Sequence, residues 1–228
     1  YNREIILEYR MALTTYAELQ SSMADFLNRQ DLATAIPTFI SLAEAQISRD
    51  IRHWQMENRA TATLNDQYLT RPGDWVETIR LVMLGNGTRP LQFLSTAAMD
   101  ERRGNSDNVA GEPRYYRHIE NQFEVFPSPN ADTSAELVYF QKIPALSDEA
   151  TSNWLLSAAP DVYLYGALIH SAPYLAEDSR IAVWAQLYSA AVLRLNQESD
   201  AAKYSGTGLG MRVKGLDTSR SANYWRDR

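Results

Sequence analysis

Apolar residues recur every three or four positions in two segments near the beginning of the chain, the spacing of one face of an α-helix. In the first segment, Thr15 and Glu18 fit a capping box, which satisfies free backbone N–H groups at a helix start. The second segment follows Pro37, which suits the first turn of a helix because it lacks an N–H group. The two helices are predicted to bury Tyr16, Leu19, Met23, Phe26 and Leu27, and then Ile36, Ile40, Ala43, Ile47, Ile51 and Trp54.

The most apolar stretch of the chain, Ala159–Asp178, predicts a second pair of helices. Its uninterrupted apolar part, residues 162–176, is shorter than the about 20 residues that a membrane span requires, so we expect no membrane contact. Pro160 can begin a helix there, and Pro173 ends or kinks it. A further helical face then extends to about Tyr204 and comprises Ile181, Trp184, Tyr188, Ala191 and Leu195.

From Arg59 the pattern changes to short alternating runs, which are typical of β-strands bounded by turn residues. The run RATATLNDQYLTRPGDW predicts a hairpin around its Asn-Asp pair, and VETIRLVMLGNGTRPLQFL predicts another around its Gly-Asn-Gly turn. After a short helix, TAAMDERR, capped by Ser95, the run PRYYRHIENQFEVFPSPN predicts two strands around Glu120 and Asn121. The run AELVYFQKI adds a final strand.

The strands lie together in the sequence, between the helices, and do not alternate with helices as they do in βαβ units. This order predicts an α+β fold with an antiparallel sheet. The two helix pairs, residues 11–58 and 151–204, are expected to form one helical bundle, with residues 59–150 as an inserted β-rich lobe. Residues 205–228 are expected to form an extended, flexible basic tail. Residues 1–10 precede MALTTYAEL, which looks like a translation start, and this N-terminal extension of doubtful origin carries no functional weight.

Composition excludes several kinds of chemistry. The 228 residues contain no cysteine, so disulfides, zinc–thiolate sites and thiol catalysis are ruled out. The net charge of -6 argues against wholesale neutralisation of nucleic-acid phosphates. The basic residues are 19 arginines and 3 lysines, which fits either arginine-rich interfaces or GC-rich coding.

No motif for catalysis or cofactor binding is recognisable. The chain lacks a phosphate-binding loop and a Gly-x-Ser-x-Gly elbow, and its run GTGLG follows a helix where a dinucleotide-binding loop follows a strand. Of the three histidines, His53 is expected to form a surface contact with Asp50, and His118 to be solvated or interfacial. His170 is expected to be a satisfied core or interface residue. We therefore expect no enzyme activity, no cofactor and no metal site.

The C-terminal tail differs in charge from the rest of the chain. Residues 205–228 hold five basic and two acidic residues, a net charge of +3, whereas the rest holds 17 basic and 26 acidic residues, a net charge of -9. The run YWR near the end contains the three residue types most enriched in interface hot spots. The tail is either a disordered terminus or an arm that docks on a partner through Arg212, Lys214, Arg220, Tyr224, Trp225 and Arg226.

Several stretches together resemble the tailed-phage head–tail adaptor, or head-completion, family between Met11 and Tyr204. They are MALTTYAEL, IPTFISLAEAQISRDIR, RATATLNDQYLTRPGDWVE, GEPRYYRHIENQFEVFPSPN, ELVYFQKIPALSDEATSNWLLSAAPDVYLYGAL and AVWAQLY. Each motif is weak by itself, but their order and spacing are specific, and the order of helices and strands also matches.

The resemblance implies a structural protein that forms a ring, usually dodecameric, beneath the portal of the capsid. Such a ring extends the DNA channel, lets double-stranded DNA pass without specific binding, and offers a platform to a tail nozzle or tail-completion protein. Its place is the virion neck, after assembly in the cytoplasm of the bacterial host. The bundle would build the ring and the tail would bind the portal, while the lobe would face the phage tail or a neighbouring subunit through Arg114, Tyr115, Tyr116 and Arg117.

Two other classes of protein stay open on the sequence alone. A cell-wall hydrolase carried by a phage tail would need a buried glutamate with a raised pKa, and a loss of peptidoglycan turbidity would reveal it. A DNA-binding protein would shift DNA in a salt-dependent manner, and the acidic charge of the chain argues against it.

Overall fold

The computed structural model describes residues 13–85, 88–104, 109–175 and 179–204. The predicted α+β class is confirmed, with helices at both ends of the described part and strands between them. The α-helices of the described residues are α1 (Tyr16–Leu27), α2 (Ile36–Asp50), α3 (Thr96–Arg103), α4 (Trp154–Ala158), α5 (Pro160–His170) and α6 (Arg180–Tyr204).

Local sequence signals set the helix ends. At α1 the Thr15 hydroxyl accepts from the Glu18 N–H at 3.3 Å, and the Glu18 carboxylate accepts from the Thr15 N–H at 2.9 Å, which confirms the capping box. Helix α5 begins at Pro160, as predicted. The chain then forms a 3-10 turn, Ala172–Tyr174, around Pro173, which cannot continue the helix. Among the described residues, no helix combines the length and the hydropathy of a membrane span.

The N-terminal and C-terminal helices share one hydrophobic core, in which α5 contacts α1, α2 and α6. Gly166 permits the close approach of three helices. A Cβ at this position would lie 3.2 Å from Cε2 of Tyr188 on α6 and 3.5 Å from Cβ of Ala43 on α2. The buried side chains of this core include Leu19, Met23, Ile36, Phe39, Ile40, Ile47, Ile51, Leu155, Val162, Tyr163, Trp184 and Leu195.

Replacing Gly166 with leucine is expected to lower the free energy of unfolding by about 1–3 kcal/mol, because the new side chain must displace the Tyr188 ring. The matched control is Gly73→Leu, since a Cβ at Gly73 meets no heavy atom within 4 Å. Urea unfolding followed by tryptophan fluorescence measures both variants. Equal losses for the two variants would show that Gly166 is not a packing position.

Two residues that the periodicity assigned to the helical core are exposed. Helix α2 ends at Asp50, so Trp54 lies in the following 3-10 turn and is 48% exposed. Met56, at the end of that turn, is buried instead. Phe26 is also exposed, because Leu27 takes the inward position in the last turn of α1. Both errors arise near a helix end, where shifting the assignment of the buried position by one residue turns a side chain from the core to the solvent.

Three sheets occupy the middle of the described chain. The first has the strand order β1-β10-β3-β4, the second has the order β2-β8-β7-β5, and β6 and β9 form a small third sheet. Two short parallel pairings, β5 with β7 and β6 with β9, depart from the predicted antiparallel arrangement. The strands are β1 (Glu57–Leu64), β2 (Tyr68–Thr70), β3 (Trp75–Leu84), β4 (Arg89–Pro90), β5 (Gln92–Phe93), β6 (Ala110–Gly111), β7 (Tyr115–Ile119), β8 (Gln122–Phe126), β9 (Ser128–Pro129) and β10 (Thr133–Gln141).

Two of the predicted hairpins are confirmed and one is wrong. Strand β3 pairs with β4, and β7 pairs with β8 across the turn at Glu120. Asn86 and Gly87 of the first turn lie outside the described residues. The predicted hairpin of β1 with β2 does not form, because β1 pairs with β10 and β2 pairs with β8. Ala60 of β1 and Leu69 of β2 instead pack against the same hydrophobic core from two different sheets.

The first two sheets enclose a second hydrophobic core, which contains Leu64, Leu81, Met83, Leu91, Tyr116, Phe123, Val125, Ala135, Leu137 and Tyr139. Helix α3 lies against β7 and buries Met99. Side chains alternate between the two faces of a strand. Tyr116 and Phe123 therefore enter this core, and Arg117 and Glu124 lie on the opposite face, where they contact α3. The lobe is therefore layered as sheet, sheet and helix.

Candidate functional sites

The four lobe residues that were candidates for a contact with the phage tail or a neighbouring subunit differ in their exposure and in their contacts within the chain. Tyr116 is buried in the second core, and Arg117 is held within the chain by Glu124. Arg114 is exposed and Tyr115 is half-buried. The structure thus gives Tyr115, Tyr116 and Arg117 partners within the chain. Arg114 is the exposed residue of the four, and the half-buried Tyr115 lies beside it.

Arg114 and Tyr115 border an open hollow of about 400 Å³, which we call the basic hollow. Nη1 of Arg102 donates to the Tyr115 hydroxyl at 3.2 Å. Arg89 pairs with Glu112 at 3.0 Å, and both side chains are exposed, so a carboxylate of a partner can replace Glu112 at small cost. The lining consists of Arg89, Pro90, Gln92, Pro113, Arg114 and Tyr115. Two arginines beside a tyrosine suit an acidic segment of a partner.

The carboxylate of Glu124 lies beneath α3, with 1% of its side chain exposed. Arg103 of α3 and Arg117 of β7 both donate to it, and Nε2 of Gln67 donates at 2.6 Å. Burial by itself raises the pKa of Glu124, but the hydrogen bonds and the positive charges of Arg103 and Arg117 together hold the pKa below its usual value. The network ties α3 to β7 and β8, and so it fixes the outer surface that carries Arg114.

A hydrolase needs an acid with a raised pKa, and Glu44 on α2 has one. Burial raises the pKa of this half-buried side chain. Its Oε1 accepts from the Leu146 N–H at 2.7 Å and from the Tyr163 hydroxyl at 3.5 Å. Glu44 therefore attaches the segment between β10 and α4 to the helical core, while the more deeply buried Glu124 has a lowered pKa. Both carboxylates are engaged in contacts within the chain.

The predicted surface contact between His53 and Asp50 is wrong. His53 follows the end of α2, is buried, and stacks on Trp154 with ring centroids 5.0 Å apart. Asp50 instead accepts from the hydroxyl of Tyr188 at 2.8 Å. The spacing of three residues brings side chains together only while the helix continues, and α2 ends between them.

The other two histidines agree with the predictions. His118 is exposed, and Nε2 of the half-buried His170 lies 3.0 Å from Oε1 of Gln46. Within residues 13–85, 88–104, 109–175 and 179–204, no group of three or more His, Cys, Asp or Glu side chains could hold a metal ion.

A polar seam joins the last turns of α6 to the segment between α2 and β1. The Ser199 hydroxyl accepts from the Trp54 N–H at 3.0 Å, and Nζ of Lys203 lies 3.1 Å from Oε1 of Glu57. Sequence analysis missed this seam, whose only signal is the helical spacing of Asn196, Ser199 and Lys203. The seam fixes the position of the C-terminal end of α6 against the first residue of β1.

The tail residues that are predicted to bind a partner lie outside the described residues and stay a prediction: Arg212, Lys214, Arg220, Tyr224, Trp225 and Arg226.

In a comparison with protein families, the family model described as SU10 adaptor protein matches residues 14–212. The chain therefore belongs to the SU10 adaptor protein family, a family of structural phage proteins, and this confirms the predicted membership among phage head–tail adaptors. No curated protein matches the chain.

Proposed function

We propose that the chain forms a ring beneath the capsid portal, extends the DNA channel and presents a docking platform for tail components. The observation that carries this proposal is the family match over residues 14–212. The net charge of -6 is compatible with it, since an acidic protein does not hold nucleic-acid phosphates tightly. In this proposal the ring is dodecameric and belongs to the virion neck.

The two separate hydrophobic cores support the assignment of different roles to the helical bundle and to the lobe. Residues 11–58 and 151–204 form the helical bundle that builds the ring. Residues 59–150 form the lobe that presents the basic hollow to a tail component. Residues 205–228 form the arm that binds the portal.

An exposed apolar stripe on α6 supports the ring. Val183, Leu187, Ala190 and Leu193 are exposed and follow one another at intervals of three or four residues. Trp184 and Tyr188 of the same helix enter the helical core. Contiguous exposed apolar side chains mark surfaces that bind other proteins. We assign this stripe to the contact between neighbouring subunits.

The purified protein is expected to be a monomer or a weak oligomer, and to form the ring only on the portal. The reason is that ordering a loose arm costs free energy, which only a partner surface offsets. Mass photometry of the protein alone, and then with purified portal, measures this. A stable ring of the protein alone would contradict the expectation.

A matched pair of variants tests the stripe in the same assay. Leu193→Asp is expected to prevent ring formation on the portal, because a charge within an apolar contact is left without a partner. Gln197→Asp, on an exposed position of the same helix one turn further on, is expected to leave the ring intact. Equal behaviour of the two variants would exclude the stripe as the contact.

The raised pKa of Glu44 is the one observation that favours a cell-wall hydrolase as a second candidate. We expect no loss of peptidoglycan turbidity, since the Glu44 carboxylate is bound by Leu146 and Tyr163. A turbidity loss that Glu44→Gln abolishes would establish the hydrolase. Urea unfolding of Glu44→Gln at pH 7 is the control for folding, because the amide oxygen can still accept from the Leu146 N–H.

A further inference from the structure

The two large sheets leave an apolar groove between their edge strands β1 and β2. In the described residues, β1 pairs only with β10, and β2 pairs only with β8. Between them lies an open cavity of about 240 Å³, which we call the edge groove. Its apolar lining comprises Ala60, Ala62, Leu69, Ala135 and Leu137. Three of these residues are alanines, so the core is left unfilled at this edge.

The free edge of β1 is a template for another strand. The strand spans Glu57–Leu64, and most of its side chains are exposed. An edge strand presents unpaired N–H and C=O groups, and an extended segment can pair with them while its alternate side chains enter a neighbouring pocket. The edge groove is such a pocket, because Ala60 and Ala62 of β1 line it.

The end of α6 brings the C-terminal tail to this edge. Nζ of Lys203 lies 3.1 Å from Oε1 of Glu57, the first residue of β1. Ala60 and Ala62 lie three and five residues further along β1, which corresponds to about 10–17 Å at 3.3 Å per residue. Residues 209–213 follow Lys203 by six to ten positions, and an extended chain of that length spans about 20–36 Å. The tail is therefore long enough to reach the groove of its own chain.

The sequence of the tail fits the groove. Leu209, Met211 and Val213 alternate with Gly210 and Arg212, so an extended backbone places the three apolar side chains on one face. The family match supplies an independent observation, because it continues to residue 212, eight residues beyond the end of α6. This stretch therefore belongs to the family's common region and is not an appended terminus.

We propose that residues 209–213 add to the free edge of β1 of the same chain, parallel to it, and insert Leu209, Met211 and Val213 into the edge groove. Arg212 then points away from the groove. The part of the portal-binding arm beyond the groove then begins at Lys214, at a defined position beside the lobe. The proposal does not depend on the portal, because it concerns the isolated chain.

Engineered cysteines test the proposal, and the absence of native cysteine makes the reaction specific. The double variant Ala62→Cys with Met211→Cys is oxidised at a concentration where the protein is monomeric, and it is examined by non-reducing electrophoresis. The control is Asp25→Cys with Met211→Cys. Asp25 is exposed on α1 at the other end of α6, where Arg180 Nη1 donates to the carbonyl of Phe26 at 3.0 Å.

We expect the intrachain cross-link to form at least about tenfold faster in the Ala62 pair than in the control. Cross-linking between chains would overturn the proposal and assign the groove to a second copy. Equal rates in the two pairs would overturn it as well.

Hydrogen exchange gives a second readout without cysteines. Those amides of residues 60–63 that point away from β10 are expected to exchange about tenfold faster after deletion of residues 205–228, or after Leu209→Ser, Met211→Ser and Val213→Ser together, because only they lose their pairing. Amides of β3, which lies inside the sheet, should be unchanged. Unchanged exchange in β1 would overturn the proposal. Protection that appears only when portal is added would also overturn it and would make the occupant a portal strand.

Discussion

Replacing Glu124 with alanine is expected to lower the free energy of unfolding by about 3–5 kcal/mol, the range found when one member of a buried ion pair is removed. The side chains of Arg103 and Arg117 are only 16% and 13% exposed. Without the carboxylate, their two positive charges face each other with little water. Gln67 also loses its acceptor. Urea unfolding, extrapolated linearly to water, measures the loss.

The matched control for this prediction is Glu112→Ala. Glu112 also pairs with an arginine, Arg89 at 3.0 Å, but both side chains are exposed. Exposed pairs contribute about 0–1 kcal/mol, so the control should lose no more than that. Equal losses for the two variants would mean that burial of the Glu124 network is not what stabilises the lobe.

The pH dependence of the Glu124 contribution has a definite sign. The pKa of Glu124 in the folded chain lies below its unfolded value. Its stabilisation is therefore complete above the unfolded pKa of about 4.3, and it is lost as the pH falls through the lower folded pKa. The difference in stability between the wild type and Glu124→Gln should shrink in that acidic range.

Trp225→Ala is expected to weaken portal binding by about 2–4 kcal/mol, whereas Arg220→Ala should weaken it by only about 0.2–1 kcal/mol. An aromatic side chain that fills a desolvated cleft loses its whole contact on truncation. A charge at the rim of an interface contributes mainly to the docking rate and to the salt dependence. Pull-down of the two full-length variants with purified portal at moderate salt measures the difference.

Deletion of residues 205–228 is the control for the Trp225 prediction. The helical core contains side chains of residues before the deletion point, so the truncated chain should remain folded. Equal portal binding by the wild type and the deletion would contradict the docking of the tail, and the tail would then be a terminus without a partner.

The helices could be predicted from the sequence because their signals are local. The capping box of Thr15 and Glu18, the position of Pro160 and the spacing of apolar residues each act within a turn or two. Among the residues assigned to the helices, the positions where prediction failed lie in the last turn of a helix or just beyond its end. Because α2 ends at Asp50, the helical period of 3.6 residues no longer predicts the directions of the His53 and Trp54 side chains.

Pairings between distant residues could not be predicted, because no local pattern specifies them. The segment after β1 looks like a hairpin turn, yet β1 pairs with β10, and the paired residues are 69 to 83 positions apart. Glu124 meets Arg103 across 21 positions, and neither residue stands out in the sequence. The charged network and the polar seam of α6 are therefore visible only in the folded chain.

Electron microscopy of purified portal, alone and mixed with an excess of this protein, tests the adaptor function most directly. We predict an added ring that is coaxial with the portal on its tail-facing side and continues the central channel. Portal particles without added density, or with density away from the channel axis, would contradict the head–tail adaptor function.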